Sequence, residues 1–366
     1  MPTKTRAAIL IQPNSPLVVD EIELPDPGPD QVLVKLFASG VCHSQLHQIH
    51  RPLDDPRAQQ ARPTLLGHEA TGVVVAHGRD VRHVREGDHV MTTWVDRGAT
   101  PGGVPRPRAE AAWNGQQVAV TTGTWTEYTL LSERLVVPLD AHAPTDVTSI
   151  IGCAVMTGAG AAINTAGVRA GDSVVIFGVG GVGLSTVAAC ANAGCYPVIV
   201  VDLSDDKLEF ARQFGATHFV NATKVEPAPP GPFGPQDPVV AKIRELTGGQ
   251  GVDYSFDAIG AQKTLEQFWQ PTRTGGPGRK GGTAVLIGVP TGPIPFSFNV
   301  RNRYVTGDIG GTCVPARDFP MFIRWFKQGT FPLDKLVSRR YKLEQINEAL
   351  ADLEHGEIAG RAIVVY

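Results

Sequence analysis

"DSVVIFGVGGVGLSTVAACANAGCYPVIVVD", residues 172–202, is the stretch that decides the fold. An apolar run at 174–177 enters Gly178-x-Gly180-x-x-Gly183, helix-forming residues follow as far as Gly194, and a second apolar run ends on Asp202. In a strand–turn–helix setting the first glycines permit a tight turn and a close backbone approach to a pyrophosphate. The third lets the helix pack against its strand. The phosphates then meet unpaired N–H groups and the positive end of the helix dipole. Asp202, nineteen positions beyond Gly183, sits where a carboxylate accepts hydrogen bonds from ribose hydroxyls. It would repel a 2′-phosphate, and neither Leu203 nor Ser204 offers a guanidinium to receive one, so NAD is expected rather than NADP. Residues 173–201 carry no charge, yet their five glycines, proline and asparagine suit strand, turn, helix and strand rather than a lipid-facing helix.

Outward from this unit the texture differs on the two sides. From about residue 155 strands alternate with helical segments, which implies βαβ units and a parallel sheet. Ser204 is placed to cap the helix "DDKLEFARQFG", which Gly215 closes, and "GVDYSFDAIG" and "GGTAVLIGV" read as later strands. Six prolines in residues 226–238 make a stiff loop. The first 150 residues read mainly as short strands: "AAILI", "LVVDEIEL", "QVLVKLFA", "TGVVVAHG", "GDHVMTTW" and "TEYTLLSERLVVPL". The tail "KLEQINEALADLEHGE" is an amphipathic helix followed by a strand, "RAIVVY".

At 366 residues the chain has room for two domains, and its 42% hydrophobic and 19% charged residues are ordinary for a soluble globular protein. A formal charge of −3 gives no electrostatic reason to expect nucleic acid or a membrane as partner. Five scattered cysteines, Cys42, Cys153, Cys190, Cys195 and Cys313, do not suit a disulfide framework, so a reducing, cytoplasmic setting is expected. The apolar run near the N-terminus is too short for a secretory signal.

The densest chemistry lies in "GVCHSQLHQIH", residues 40–50, with one cysteine and three histidines in nine positions. Thiolate and imidazole are preferred zinc ligands. Joined by "LLGHEATG" and "IGCAVMTG", the stretch supplies Cys42, His68 and Cys153, two thiolates and an imidazole that leave a fourth zinc position open. Each residue alone would more often be structural, a buried thiol or a satisfied core histidine. Their coincidence with the glycine fingerprint favours a metal site.

From "GVCHS" through "GHE", "GDHV", "IGC" and "GVGGVG" to Arg361, the chain closely resembles the zinc-dependent alcohol dehydrogenases of the medium-chain dehydrogenase/reductase superfamily. That resemblance implies an α/β fold. A GroES-like, mostly-β catalytic domain would occupy residues 1–154 and 310–366, a Rossmann domain with a doubly wound parallel sheet residues 155–309, and the active site the cleft between them. It implies one catalytic zinc on Cys42, His68 and Cys153, with Glu69 able to approach the metal. Ser44 would bond the substrate oxygen and His47 would end a proton relay. His43 and Arg361 would contact the cofactor pyrophosphate, Lys207 the adenosine ribose, and Thr157 would back the nicotinamide. Gly181, Val182, Ile259, Ile287 and Val289 would complete the NAD site. Trp94 and Trp125 fall where side chains face the substrate and would favour flat or slender apolar groups. His50 receives no role.

The implied activity is interconversion of an alcohol and its aldehyde or ketone with NAD(H), on a small-molecule substrate, by a homodimer or tetramer. Alternatives are a pathway-specific reductase or dehydrogenase of the same family and, from another class, a non-catalytic redox sensor on the same fold. Two departures from the family stand out. The segment after "GDHV" lacks the four cysteines of a second zinc, so the 92–120 lobe is expected to be held by its prolines, by Trp113 and by contacts open to Arg97, Arg106, Arg108 and Glu110. Gln45 stands where the family usually places an aspartate behind the zinc-binding histidine, which removes a negative charge from that shell.

Overall fold

The computed structural model describes residues 2–59, 62–98, 109–230, 236–296 and 302–366. The chain divides into two compact units, one of residues 1–153, 314–324 and 333–366, the other of residues 154–313 and 325–332. Arg106, Arg108, the centre of the proline-rich 226–238 loop and residues 60 and 61 lie outside the described residues.

The first unit is built on β-structure. Thr3–Leu10, Val18–Leu24, Ala109–Trp113, Gln116–Val120 and Thr64–Leu65 close into a barrel. A second sheet runs Val136–Pro138, His89–Thr92, Ala70–His77, Gln31–Val41, Arg361–Val365 and Val337–Tyr341, with Tyr128–Ser132 also pairing with Gln31–Val41. The eleven-residue strand Gln31–Val41 is its spine, mostly buried, with side chains in three apolar clusters. The last strand pairs antiparallel with it, Ala362 opposite Val41, and this brings Arg361 to the end of the strand that leads into Cys42.

The lobe without cysteines holds a hairpin. Asn114 and Gly115 both adopt positive φ, 47° and 76°, as a type I′ turn requires, and Trp113 pairs with Gln116 across it. Polar contacts anchor it as expected. The Trp113 indole N–H donates to Asp20 Oδ2 at 2.8 Å, and Arg62 bonds Glu110 at 2.6 Å. Further along, the Arg97 N–H donates to the Arg134 carbonyl.

Among the described residues the second unit carries six parallel strands in the order His218–Asn221, Val198–Asp202, Val174–Phe177, Tyr254–Asp257, Thr283–Leu286 and Tyr304–Gly307. Val175, Phe177, Ile199 and Val201 from its central strands pack with Ile243, Leu265 and Phe268 from flanking helices. A near-continuous apolar reading of the strands is what burial on both faces demands. Ser204 caps the helix Asp205–Ala211 by accepting from the Lys207 N–H, and Gly215 closes the turn beyond it at φ 101°. Among the described residues no helix is long and apolar enough to cross a membrane.

Candidate metal and dinucleotide sites

Cys42 leaves the spine strand in extended conformation and begins the helix His43–Ile49, whose Gln45, Leu46 and Ile49 are buried. His68 follows Gly67 between two strands, and Cys153 follows the helical turn Val147–Gly152. These segments bring one donor atom from each of Cys42, His68 and Cys153 within 4.8 Å of one another, the one such group among the described residues. The two sulfurs are 3.9 Å apart, and His68 Nε2 is 3.1 Å from Cys153 Sγ. Two thiolates on one tetrahedral zinc stand about 3.8 Å apart, given Zn–S bonds of about 2.3 Å. The donor set therefore fits zinc in chemistry and in spacing.

The local charges suit a thiolate. The hydrogen bond from Cys153 holds the Cys42 thiol well below its ordinary range, with Arg361 and His68 adding to the effect. That bond and burial together push the Cys153 thiol up. Ser44 Oγ donates to Cys42 Sγ at 3.2 Å.

Arg361 and Glu69, which the resemblance assigns to different partners, face each other. Arg361 Nε donates to Glu69 Oε1 at 2.8 Å, its Nη2 makes a second bond to the same oxygen, and both side chains are buried. Burial works against the arginine's charge, but Cys42, Glu69 and Cys153 raise its pKa above the ordinary value. Gly40 makes room for the pair, because a Cβ there would lie 2.1 Å from Glu69 Oε1.

The histidines separate in role. His43 and His47 stack edge to face with ring centroids 5.7 Å apart, His47 exposed. His50 ends the helix and places Nε2 3.4 Å from Glu354 Oε1, a structural contact. Trp94 stands edge-on to His68 at 6.4 Å, and its buried indole nitrogen has no hydrogen-bond partner. Trp125 is placed otherwise than the sequence suggests: it is fully buried in the apolar cluster of Leu46, Ile49 and Ile346, and its indole N–H donates to the Gly40 carbonyl at 3.1 Å.

In the second unit the glycine turn has the shape a pyrophosphate needs. Gly178 adopts φ 86°, a Cβ on Gly180 would meet nothing within 4 Å, and a Cβ on Gly183 would lie 1.8 Å from the Gly178 carbonyl oxygen. The helix Gly181–Asn192 opens without a side-chain cap, with Val182 in its first turn. Asp202 accepts from the Val179 N–H at 3.0 Å and the Leu203 N–H at 2.7 Å, which ties the strand end to the glycine turn. Lys207 is half-buried, Ile259 and Val289 are exposed, and Ile287 is buried. Thr157 is buried, with a hydroxyl that finds no partner in the protein. An open glycine turn, an uncapped helix and an orphaned hydroxyl fit a bound dinucleotide.

One unit is β-rich and carries a Cys-His-Cys group, the other is a parallel-sheet unit with a glycine turn, and these are the two parts of a zinc-type dehydrogenase. Residues 28–141 match the family described as alcohol dehydrogenase GroES-like domain, and residues 181–328 match that described as zinc-binding dehydrogenase. The chain is 33% identical to a putative alcohol dehydrogenase D of Mycobacterium tuberculosis, over 99% of this chain and 100% of that protein. It is 31% identical to an alcohol dehydrogenase class-3 of Cereibacter sphaeroides, over 99% and 100%. The crystal structure of benzyl alcohol dehydrogenase from Acinetobacter calcoaceticus superposes with a TM-score of 0.84 at 27% identity, over 99% of each chain. The chain belongs to the zinc-type medium-chain alcohol dehydrogenase family and is an oxidoreductase.

Proposed function

We propose that the protein interconverts an alcohol and its aldehyde or ketone, with one zinc on Cys42, His68 and Cys153 and NAD(H) as redox partner. The observation that carries this reading is the convergence of those three donor atoms within 4.8 Å. Zinc held there supplies a Lewis acid for the substrate oxygen. Oxidation removes a hydride from the carbinol carbon and a proton from its hydroxyl. The chain's own groups handle the proton: Ser44 stands beside Cys42 and exchanges it, and exposed His47 returns it to solvent. Glu69 pairs with Arg361, and the nearby Cys42 and Cys153 add to the hold on its charge, so the buried guanidinium does not stand alone. Asp202 orients the adenosine ribose, with Lys207 beside it, and the Gly178–Gly183 turn receives the pyrophosphate. The edge-on Trp94 beside His68, together with the likeness to a benzyl alcohol dehydrogenase, favours flat apolar alcohols.

The same reading has the enzyme act as a homodimer in a reducing compartment. Tyr304–Gly307 is the terminal strand of the described parallel sheet, with Tyr304 and Ile309 exposed, and none of the five cysteines is in a disulfide. The segment before this strand, 297–301, lies outside the described residues. The test is a panel of alcohols and aldehydes followed by NADH absorbance, with the wild type, chelator-treated protein and Cys42→Ala. Turnover is expected in the wild type alone. Equal turnover in all three would remove the metal from the reading.

A further inference from the structure

Gln45 is a buried amide at the place where a charged residue would be expected, and the structure gives it a different task. It lies on the helix that begins at Cys42, and its own N–H donates to the Cys42 carbonyl at 3.0 Å. Its Oε1 accepts from the backbone N–H of Gly67 at 2.5 Å. Gly67 is the residue before His68. It adopts φ +89°, and a Cβ there would lie 2.4 Å from Thr124 Oγ1 and 2.8 Å from the Trp125 nitrogen. Its carbonyl accepts from Thr122 Oγ1 at 2.8 Å and from the Thr124 N–H at 3.3 Å. Gly67 is therefore held at its N–H from the Cys42 helix and at its carbonyl from residues 122–124.

We propose that Gln45 is a positioning residue: its amide oxygen fixes the Gly67–His68 backbone and so aims the His68 imidazole, locking two of the three ligand-bearing segments to each other. The inference rests on the zinc reading of the site. A ligand's direction is ordinarily set by a carboxylate or carbonyl on the imidazole's other nitrogen. Here it is set one peptide earlier, through the backbone, and the device requires an acceptor atom at residue 45 but no charge.

The test compares full-length wild type, Gln45→Leu, which removes the acceptor at similar volume, and Gln45→Glu, which retains one. Three quantities are read: the rate of zinc release to a chelator, the visible spectrum of the cobalt-substituted protein, and hydrogen exchange of the Gly67 amide. Gln45→Leu is expected to release zinc about tenfold faster, to shift the cobalt bands and to expose the Gly67 amide. Gln45→Glu is expected to behave as the wild type. If Gln45→Leu does not fold, Thr122→Val loosens the same peptide from its carbonyl side and is expected to give the same three changes in smaller degree. The proposal is overturned if Gln45→Leu matches the wild type, or if both Gln45 variants lose zinc equally. A wild type that takes up no zinc would overturn the metal reading instead, and the clamp is then decided by the Gly67 exchange rate alone, slow in wild type and Gln45→Glu and fast in Gln45→Leu.

Discussion

Glu69→Gln removes one charge from a buried ion pair while keeping its shape. Glu69 is fully buried and Arg361 is 5% exposed, so the guanidinium left behind cannot turn to water. The pair also has no room to rearrange, because Gly40 packs directly on the carboxylate and the Glu69 carbonyl is held by the Gly40 N–H and by Ser39 Oγ. Breaking such a pair by removing one partner costs about 3–5 kcal/mol. The thiolate of Cys42 also faces Arg361 and compensates part of the lost charge, so the lower end, about 3 kcal/mol, is expected. For a domain of about 150–250 residues each kcal/mol moves the midpoint by about 2–4 °C, which gives a fall of about 6–12 °C in the melting of the β-rich unit. Calorimetry on wild type, Glu69→Gln, Arg361→Met and the double variant Glu69→Gln/Arg361→Met reads this directly. The double variant should lose less than the two charge-removing singles together, because it leaves no uncompensated charge. A Glu69→Gln melt within about 2 °C of wild type, or strict additivity, would refute the argument.

Three further expectations follow from the second unit. Gly183→Ala sets a methyl against the Gly178 carbonyl, which is backbone and cannot swing away, so a loss of about 1–3 kcal/mol and of NADH binding by fluorescence titration is expected; unchanged binding would contradict it. Asp202→Ala should raise the NADP-to-NAD efficiency ratio about fivefold or more, since repulsion between two charges near a protein surface amounts to about 1–4 kcal/mol; an unchanged ratio counts against the assignment. Asp237 caps the helix Pro238–Leu246 and bonds Lys263 and Gln267, so Asp237→Ala should cost about 1–2 kcal/mol in denaturant titration. Burial opposes the charge of Asp237, but its hydrogen bonds hold the carboxyl below the usual value. Its contribution is therefore complete above the unfolded value of about 3.9 and fades as pH falls through the lower folded one, so wild type and variant should converge in acid.

The parts of this molecule that were legible in its sequence are those that local chemistry dictates. The turn at Gly178–Gly183, the Ser204 cap and the run to Asp202 obey rules that act within a few residues, and all are found in place. The Cys42, His68 and Cys153 segments could be paired because thiolates and imidazoles are scarce and chemically distinctive. The hairpin in the 109–120 lobe is also written locally, in Asn114-Gly115 between alternating residues. What stayed hidden depends on contacts between residues far apart in the chain. Nothing near Glu69 points to Arg361, 292 positions away, and nothing near Trp125 separates a substrate-facing ring from one that completes a core. Gln45 could be recognised as a departure, but its acceptor role at Gly67 depends on a helix and a loop meeting in space.

Zinc K-edge absorption, with metal content measured on extensively dialysed wild-type protein, tests the central claim most directly. The expected result is one zinc per chain, with two sulfur neighbours near about 2.3 Å, one imidazole nitrogen near about 2.0–2.1 Å and one further light atom. Two tightly held zinc ions, or a first shell of oxygen and nitrogen alone, would contradict the assignment of Cys42, His68 and Cys153.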